Sequence, residues 1–177
     1  MQGGSEIPQL RNSAREPSLT FIGVLIYYCP HKPQKPRGEA KTNKGRQKMT
    51  MEEARAYFSE DRFATENGIT LDELDGEHAV TSMTLSPRHR NAFGGVMGGA
   101  IFTLADFAFA ALTNDRERVT VAQQVSISYL SATKGTRLIA TARFRKDGRS
   151  SCVVNVDVAD DTGRDIAQFV GTGFKLK

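Results

Sequence analysis

The sequence has no tryptophan, only two cysteines and only three histidines, and each shortage excludes something. Cys29 and Cys152 lie far apart in a chain of 177 residues, so no disulfide framework is expected and a reducing compartment is the default. His31, His78 and His89 are scattered, and no Cys/His spacing resembles a metal site, so no metal is expected. No apolar run reaches the ~20 residues of a bilayer crossing, which speaks against a membrane span. An excess of positive charge is also missing from most of the chain. Residues 1–49 hold nine Lys/Arg against three Asp/Glu, whereas residues 50–177 hold fifteen against seventeen. The basic pI of about 9.2 therefore belongs to the leading segment. The remainder offers no surface suited to nucleic acid.

Proline is equally uneven. Pro8, Pro17, Pro30, Pro33 and Pro36 precede residue 40, and Pro87 alone follows. Lys32 to Lys48 is basic and nearly free of apolar residues, the composition of a linker or a disordered segment. Leu19 to Tyr28 is apolar, but the sequence after it, Cys29-Pro30-His31-Lys32, is not a small-residue cleavage site. The expectation is an extension without a fold over residues 1–48, a folded domain over 49–177 that begins near Met49 or Met51, and a cytoplasmic location.

What the sequence does contain is one stretch around which the rest is arranged, Gly94 to Asn114. It opens on glycines, turns apolar on every side, and predicts a helix from Gly98 to Thr113, enclosed by the rest of the domain. Its one charge is Asp106. A buried carboxylate needs a partner, a wet cleft or a raised pKa. Asp106 is thus either a catalytic carboxylate beside a pocket or an acid at a subunit edge facing water.

Around that helix the periodicity predicts strands. Met51 to Phe58 reads as a short amphipathic helix, and Phe63 to Gly68 as a connection. Ile69 to Leu74 and His78 to Leu85 form a hairpin about Asp75-Gly76. Val119 to Leu130, Arg137 to Arg145, Ser151 to Ala159 and Asp165 to Leu176 alternate with period two, each with one face to bury. Short turns predict an antiparallel meander over these four strands. The result is an α+β domain, an antiparallel sheet wrapped around one helix, whose edge or outer face invites self-association.

The run Pro87 to Asp106, with Gly94-Gly95-Val96-Met97-Gly98-Gly99-Ala100 and Thr103-Leu104-Ala105-Asp106, resembles the signature of hotdog-fold acyl-CoA thioesterases of the PaaI-like type. Ser131 to Gly135, Gly148-Arg149, Asp160 to Gly163 and Gly171 to Phe174 extend the likeness over residues 51–177. The resemblance implies a hotdog fold, a homodimer or homotetramer, and hydrolysis of acyl-CoA thioesters, with coenzyme A as part of the substrate and no other cofactor.

It also implies roles. The Gly98 N–H polarises the thioester carbonyl, aided by the helix dipole. Asp106 attacks the carbonyl or activates a water, facing the Gly98 of another subunit. Asn91 orients the carbonyl or the water, or simply shapes the loop. Met97 and Gly99 adjoin the acyl group. Arg88, Lys134 and Arg149, with Arg90, are candidates for the phosphates of coenzyme A. One position departs from the pattern: Met97 stands where the family commonly has histidine, and a thioether donates no proton. Two rivals follow, a non-catalytic acyl-CoA binder on the same fold and a hydratase, which would need an Asp–His pair. Phe102, Phe107 and Phe109 are read as core rather than as the lining of an aromatic-accepting pocket.

Overall fold

The computed structural model describes residues 49–115 and 118–176; the expected extension at 1–48 lies outside them. The folded region opens with α1 (Met51–Phe58). Its start is fixed by a reciprocal pair, the Glu53 N–H donating to Thr50 Oγ1 at 3.2 Å and the Thr50 N–H to Glu53 Oε2 at 2.8 Å. A four-residue helix, α2 (Arg62–Thr65), follows where a plain connection was expected. It is too short to show helical periodicity in sequence.

Then come β1 (Ile69–Leu74), β2 (His78–Thr84), a 3₁₀ turn at Pro87–His89 and α3 (Gly98–Thr113). Four strands follow: β3 (Thr120–Tyr129), β4 (Arg137–Asp147), β5 (Ser151–Asp160) and β6 (Asp165–Lys175). Helix α3 has the predicted limits. Its C-terminus stops at Asn114, whose Nδ2 donates to the Ala110 carbonyl and whose Oδ1 accepts from the Thr120 N–H.

The six strands form one antiparallel sheet in the order β1-β2-β4-β5-β6-β3. The expected four-strand meander is correct for β4-β5-β6 and wrong for β3, which pairs with β6. Both edges of β4 are already taken, by β2 and β5. The link from β3 to β4, residues 130–136, is long enough to carry the chain across the sheet, and the Leu130 N–H is anchored on the Ile166 carbonyl.

The sheet curls over α3. Leu104, Ala105, Ala108, Phe109 and Ala111 are buried against Leu138, Val154, Val156 and Phe169. Two glycines of β6 permit this approach. A methyl group at Gly171 would lie 2.8 Å from Phe109 Cδ2, and one at Gly173 would lie 2.6 Å from Thr120 Cγ2 and 2.8 Å from Cys152 Sγ. Phe107 and Phe109 are core, while Phe102 is half-buried, its ring 5.6 Å from that of Phe169.

The enclosure of α3 is less complete than the sequence suggested. Gly99, Thr103, Asp106 and Ala110 are not buried. Their spacing of four, three and four residues places them on one helical stripe. The sheet covers the other side of the helix and leaves this stripe open.

Candidate active site along the open stripe of α3

The loop before α3 is built to deliver an uncapped helix start. Asn91 Oδ1 accepts the Phe93 N–H at 3.0 Å and the Gly95 N–H at 3.1 Å. Gly94 takes φ +79°, a conformation that suits glycine. The Met97 N–H then donates to the His89 carbonyl at 2.8 Å. Met97 occupies the N-cap position and has no side-chain oxygen to offer the helix. Its carbonyl accepts the Ala100 and Ile101 N–H groups. The Gly98 and Gly99 N–H groups have no acceptor among the described residues. Two unsatisfied donors at the positive end of a helix are suited to a developing oxyanion.

Asn91, proposed from sequence to orient substrate, thus spends its oxygen on the loop. His89 is equally committed. The Ser86 N–H donates to Nδ1 at 3.0 Å, so the proton sits on Nε2, which donates to the Asn67 carbonyl at 2.9 Å. This buried ring cannot stand in for the histidine that Met97 replaces. Met97 itself is 55 % exposed, and the neighbouring Phe93 is 97 % exposed.

Sequence reasoning missed Tyr129. Its hydroxyl donates to the Gly98 carbonyl at 3.0 Å, and its ring lies 3.1 Å from where a Gly98 Cβ would be. In sequence this tyrosine is one more apolar position of an alternating strand.

Asp106 lies eight residues beyond Gly98, about 12 Å along the axis. Its half-buried carboxylate makes no hydrogen bond or ion pair with any described residue. Burial raises its pKa above the ordinary carboxylate range, and the nearby charge of Asp61 raises it further. It lines a cleft of about 370 Å³ with Asp61, Arg62, Phe63 and Thr103. A second, largely apolar cleft of about 290 Å³ meets the first at Phe63 and Thr103 and runs past Ile69, Met83, Met97 and Phe102.

The basic candidates separate. Arg88 borders the apolar cleft, with Nη1 donating to the Glu66 carbonyl at 2.6 Å, and Arg90 donates to the Gly94 carbonyl at 2.8 Å. Lys134 is exposed in the link that precedes β4, the end of β4 that pairs with Thr84 just before this loop. Arg149 is exposed in the turn after Asp147, at the other end of β4. One chain therefore gathers Arg88, Arg90, Met97, Gly98 and Gly99 near the helix start and does not bring Arg149 to them. Among the described residues, no three His, Cys, Asp or Glu side chains converge as a metal site would require, and no helix is long and apolar enough to cross a membrane.

Comparisons with known proteins agree with this architecture. A family profile described as "Domain of unknown function (DUF4442)" matches residues 61–172. The acyl-coenzyme A thioesterase PaaI of Escherichia coli is 30 % identical over 70 % of this chain and 89 % of its own length. The human acyl-coenzyme A thioesterase 13 is 32 % identical over 56 % of this chain and 74 % of its own length. The solved structure of the E. coli PaaI protein superposes with a TM-score of 0.66, covering 70 % of this chain and 91 % of that one at 29 % identity. A hypothetical thioesterase from Streptococcus pneumoniae, solved with coenzyme A, superposes with a TM-score of 0.62 at 25 % identity, covering 67 % and 96 %. From the apolar helix, the glycine start, the curled antiparallel sheet and these likenesses together, the chain belongs to the PaaI-like family of hotdog-fold acyl-CoA thioesterases.

Proposed function

We propose that this chain hydrolyses acyl-CoA thioesters, with Asp106 as the reacting carboxylate and the Gly98 N–H as the carbonyl polariser. The observation that carries this reading is the Asp106 carboxylate, half-buried and without a partner on a stripe the sheet leaves open. A carboxylate whose pKa is raised by burial is a stronger base than a solvated one.

In the water-activated route, Asp106 takes a proton as the water oxygen bonds to the thioester carbon. The carbonyl electrons move onto oxygen, where the helix amides stabilise them. The C–S bond then breaks, and the leaving thiolate takes the proton back. In the nucleophilic route, the carboxylate attacks the carbonyl carbon, the C–S bond breaks and the coenzyme A thiolate leaves to take a proton from solvent, and water then adds to the Asp106 carbon of the anhydride to release the free acid. A single turnover in ¹⁸O-water separates the two: label in the Asp106 side chain marks the second.

The ~12 Å between Gly98 and Asp106 along one helix exceeds the reach of a single carbonyl. The reading therefore uses Asp106 of one chain and Gly98 of another, in a homodimer or a homotetramer. The apolar exposure of Phe93, Met97 and the β3 edge supports such an assembly. Asn91, through the amide nitrogen it does not spend on the loop, orients the carbonyl or the water. Met97 and Gly99 flank the acyl group. Arg88, Arg90 and Lys134 face the phosphates at one end, and Arg149 joins them only from another subunit. Coenzyme A enters as part of the substrate, with no separate cofactor. We assign the protein to the cytoplasm, and residues 1–48 to an extension the domain does not need.

The test is thiol release from a panel of aryl, medium-chain and long-chain acyl-CoAs, by the full chain, by the Asp106→Asn variant and by a chain starting at Met49. Release that depends on Asp106 and survives truncation supports the reading. Equal background from wild type and variant favours the second reading, a non-catalytic acyl-CoA binder, to which the methionine at position 97 lends weight.

A further inference from the structure

Asp61 was not singled out by the sequence and has no role in the chemistry described so far. It sits at the N-cap position of α2, where aspartate ordinarily accepts a first-turn amide. Here its backbone lies at φ −75°, ψ 67°, and its side chain caps nothing. Its carbonyl, not its carboxylate, accepts the Ala64 and Thr65 N–H groups. No described residue supplies the carboxylate with a hydrogen bond or an ion pair. The side chain is therefore not consumed by the fold. It lines the same open cleft as Asp106, together with Phe63 and Thr103.

Resting on the thioesterase reading above, we propose that Asp61 is a positioning residue for hydrolysis, the second member of a carboxylate pair in which its negative charge keeps Asp106 a strong proton acceptor. The chemistry is that of two like charges in one partly desolvated cleft: when one is ionised, the other holds a proton more tightly. Burial raises both carboxylates, and the charge of Asp61 raises Asp106 further. The other charged group of the cleft is Arg62, which forms no ion pair with either acid. The strands packed on the far side of α3 contribute no residue to the cleft lining. Phe63, 75 % exposed, lines the same cleft.

The decisive measurement does not require activity. Aspartate labelled with ¹³C at the carboxyl is titrated by NMR in the full chain, with the Asp106 resonance identified by its loss in Asp106→Asn. In Asp61→Asn the Asp106 midpoint should fall by roughly half a pH unit or more. An unchanged midpoint overturns the proposal. Asp61→Ser, which removes the charge with a small polar side chain, serves if the asparagine variant does not fold.

Two kinetic arms sharpen the result. The acid limb of the pH–rate profile should move to lower pH in Asp61→Asn. In wild type alone, 1 M salt should move it the same way by screening the pair. A rate lost equally at all pH values, with the limb in place, would mark Asp61 as merely structural and sink the idea. If Asp106→Asn still releases thiol, the thioesterase assignment of Asp106 fails while the NMR result on the pair stands.

Discussion

Two aspartates of this domain lose solvent to different degrees and have opposite fates. Asp160, at the end of β5, is 2 % exposed. Its Oδ2 accepts from Thr133 Oγ1, Lys134 N and Gly135 N, and its Oδ1 from Thr162 N, Thr162 Oγ1 and Arg164 N. The hydroxyl of Thr162, with these amides and Thr133, holds its carboxyl well below the ordinary range. Asp106 is better exposed, receives no donor and is pushed the other way. Burial alone therefore does not decide the charge of a carboxylate; the supply of donors does. The first aspartate ties the β3–β4 link to the β5–β6 turn. The second is left with its proton affinity intact, the property a base needs.

Exchanging each carboxylate for its amide would break the comparison from both sides. Asp106→Asn should lower kcat by roughly a thousandfold or more, read as thiol release. It should also raise Tm by about 1–3 °C, because it removes a charge that folding disfavours; an unchanged rate would remove Asp106 from the chemistry. Asp160→Asn should do the reverse, lowering Tm by roughly 5–10 °C in calorimetry while the folded fraction still turns over.

The carboxyl of Asp160 is depressed in the folded state, so its contribution is complete above about pH 4 and fades as pH falls below that. Wild type should lose stability in that acid window more steeply than Asp160→Asn. The raised carboxyl of Asp106 acts in the opposite direction, its cost to folding easing as it protonates. Smaller effects sharpen the contrast between a packed region and an open one. Gly171→Ala, which drives a methyl into Phe109, should cost about 1–3 kcal/mol in denaturant unfolding. Tyr129→Phe, which removes one partly exposed hydrogen bond to Gly98, should cost about 0.5–1 kcal/mol in the same measurement.

Much of this was legible in the sequence, and what was not has a physical reason. The limits of α3 could be read because an apolar run between glycines and an asparagine has one reasonable folding. The strands could be read because alternation reports which side chains share a face. Periodicity says nothing of which edge meets which, so the pairing of β3 with β6 was invisible. Asp106 stood out as the lone charge in an apolar helix, whereas Asp61 looked like any acid among Ser59, Glu60 and Arg62. Its place in the cleft depends on a four-residue helix that leaves no pattern. For Asn91 the sequence left open whether it orients substrate or shapes the loop, and only its bonds show that its oxygen shapes the loop.

The order in which the strands emerge during synthesis has its own consequence. β3 leaves the ribosome well before β6, its partner in the sheet. Until β6 is made, a nascent chain carries a strand with apolar side chains and nothing to zip onto. A ribosome stalled before Asp165 would expose a sticky, half-closed intermediate to the chaperones. This protein should therefore depend on their protection late in translation rather than early.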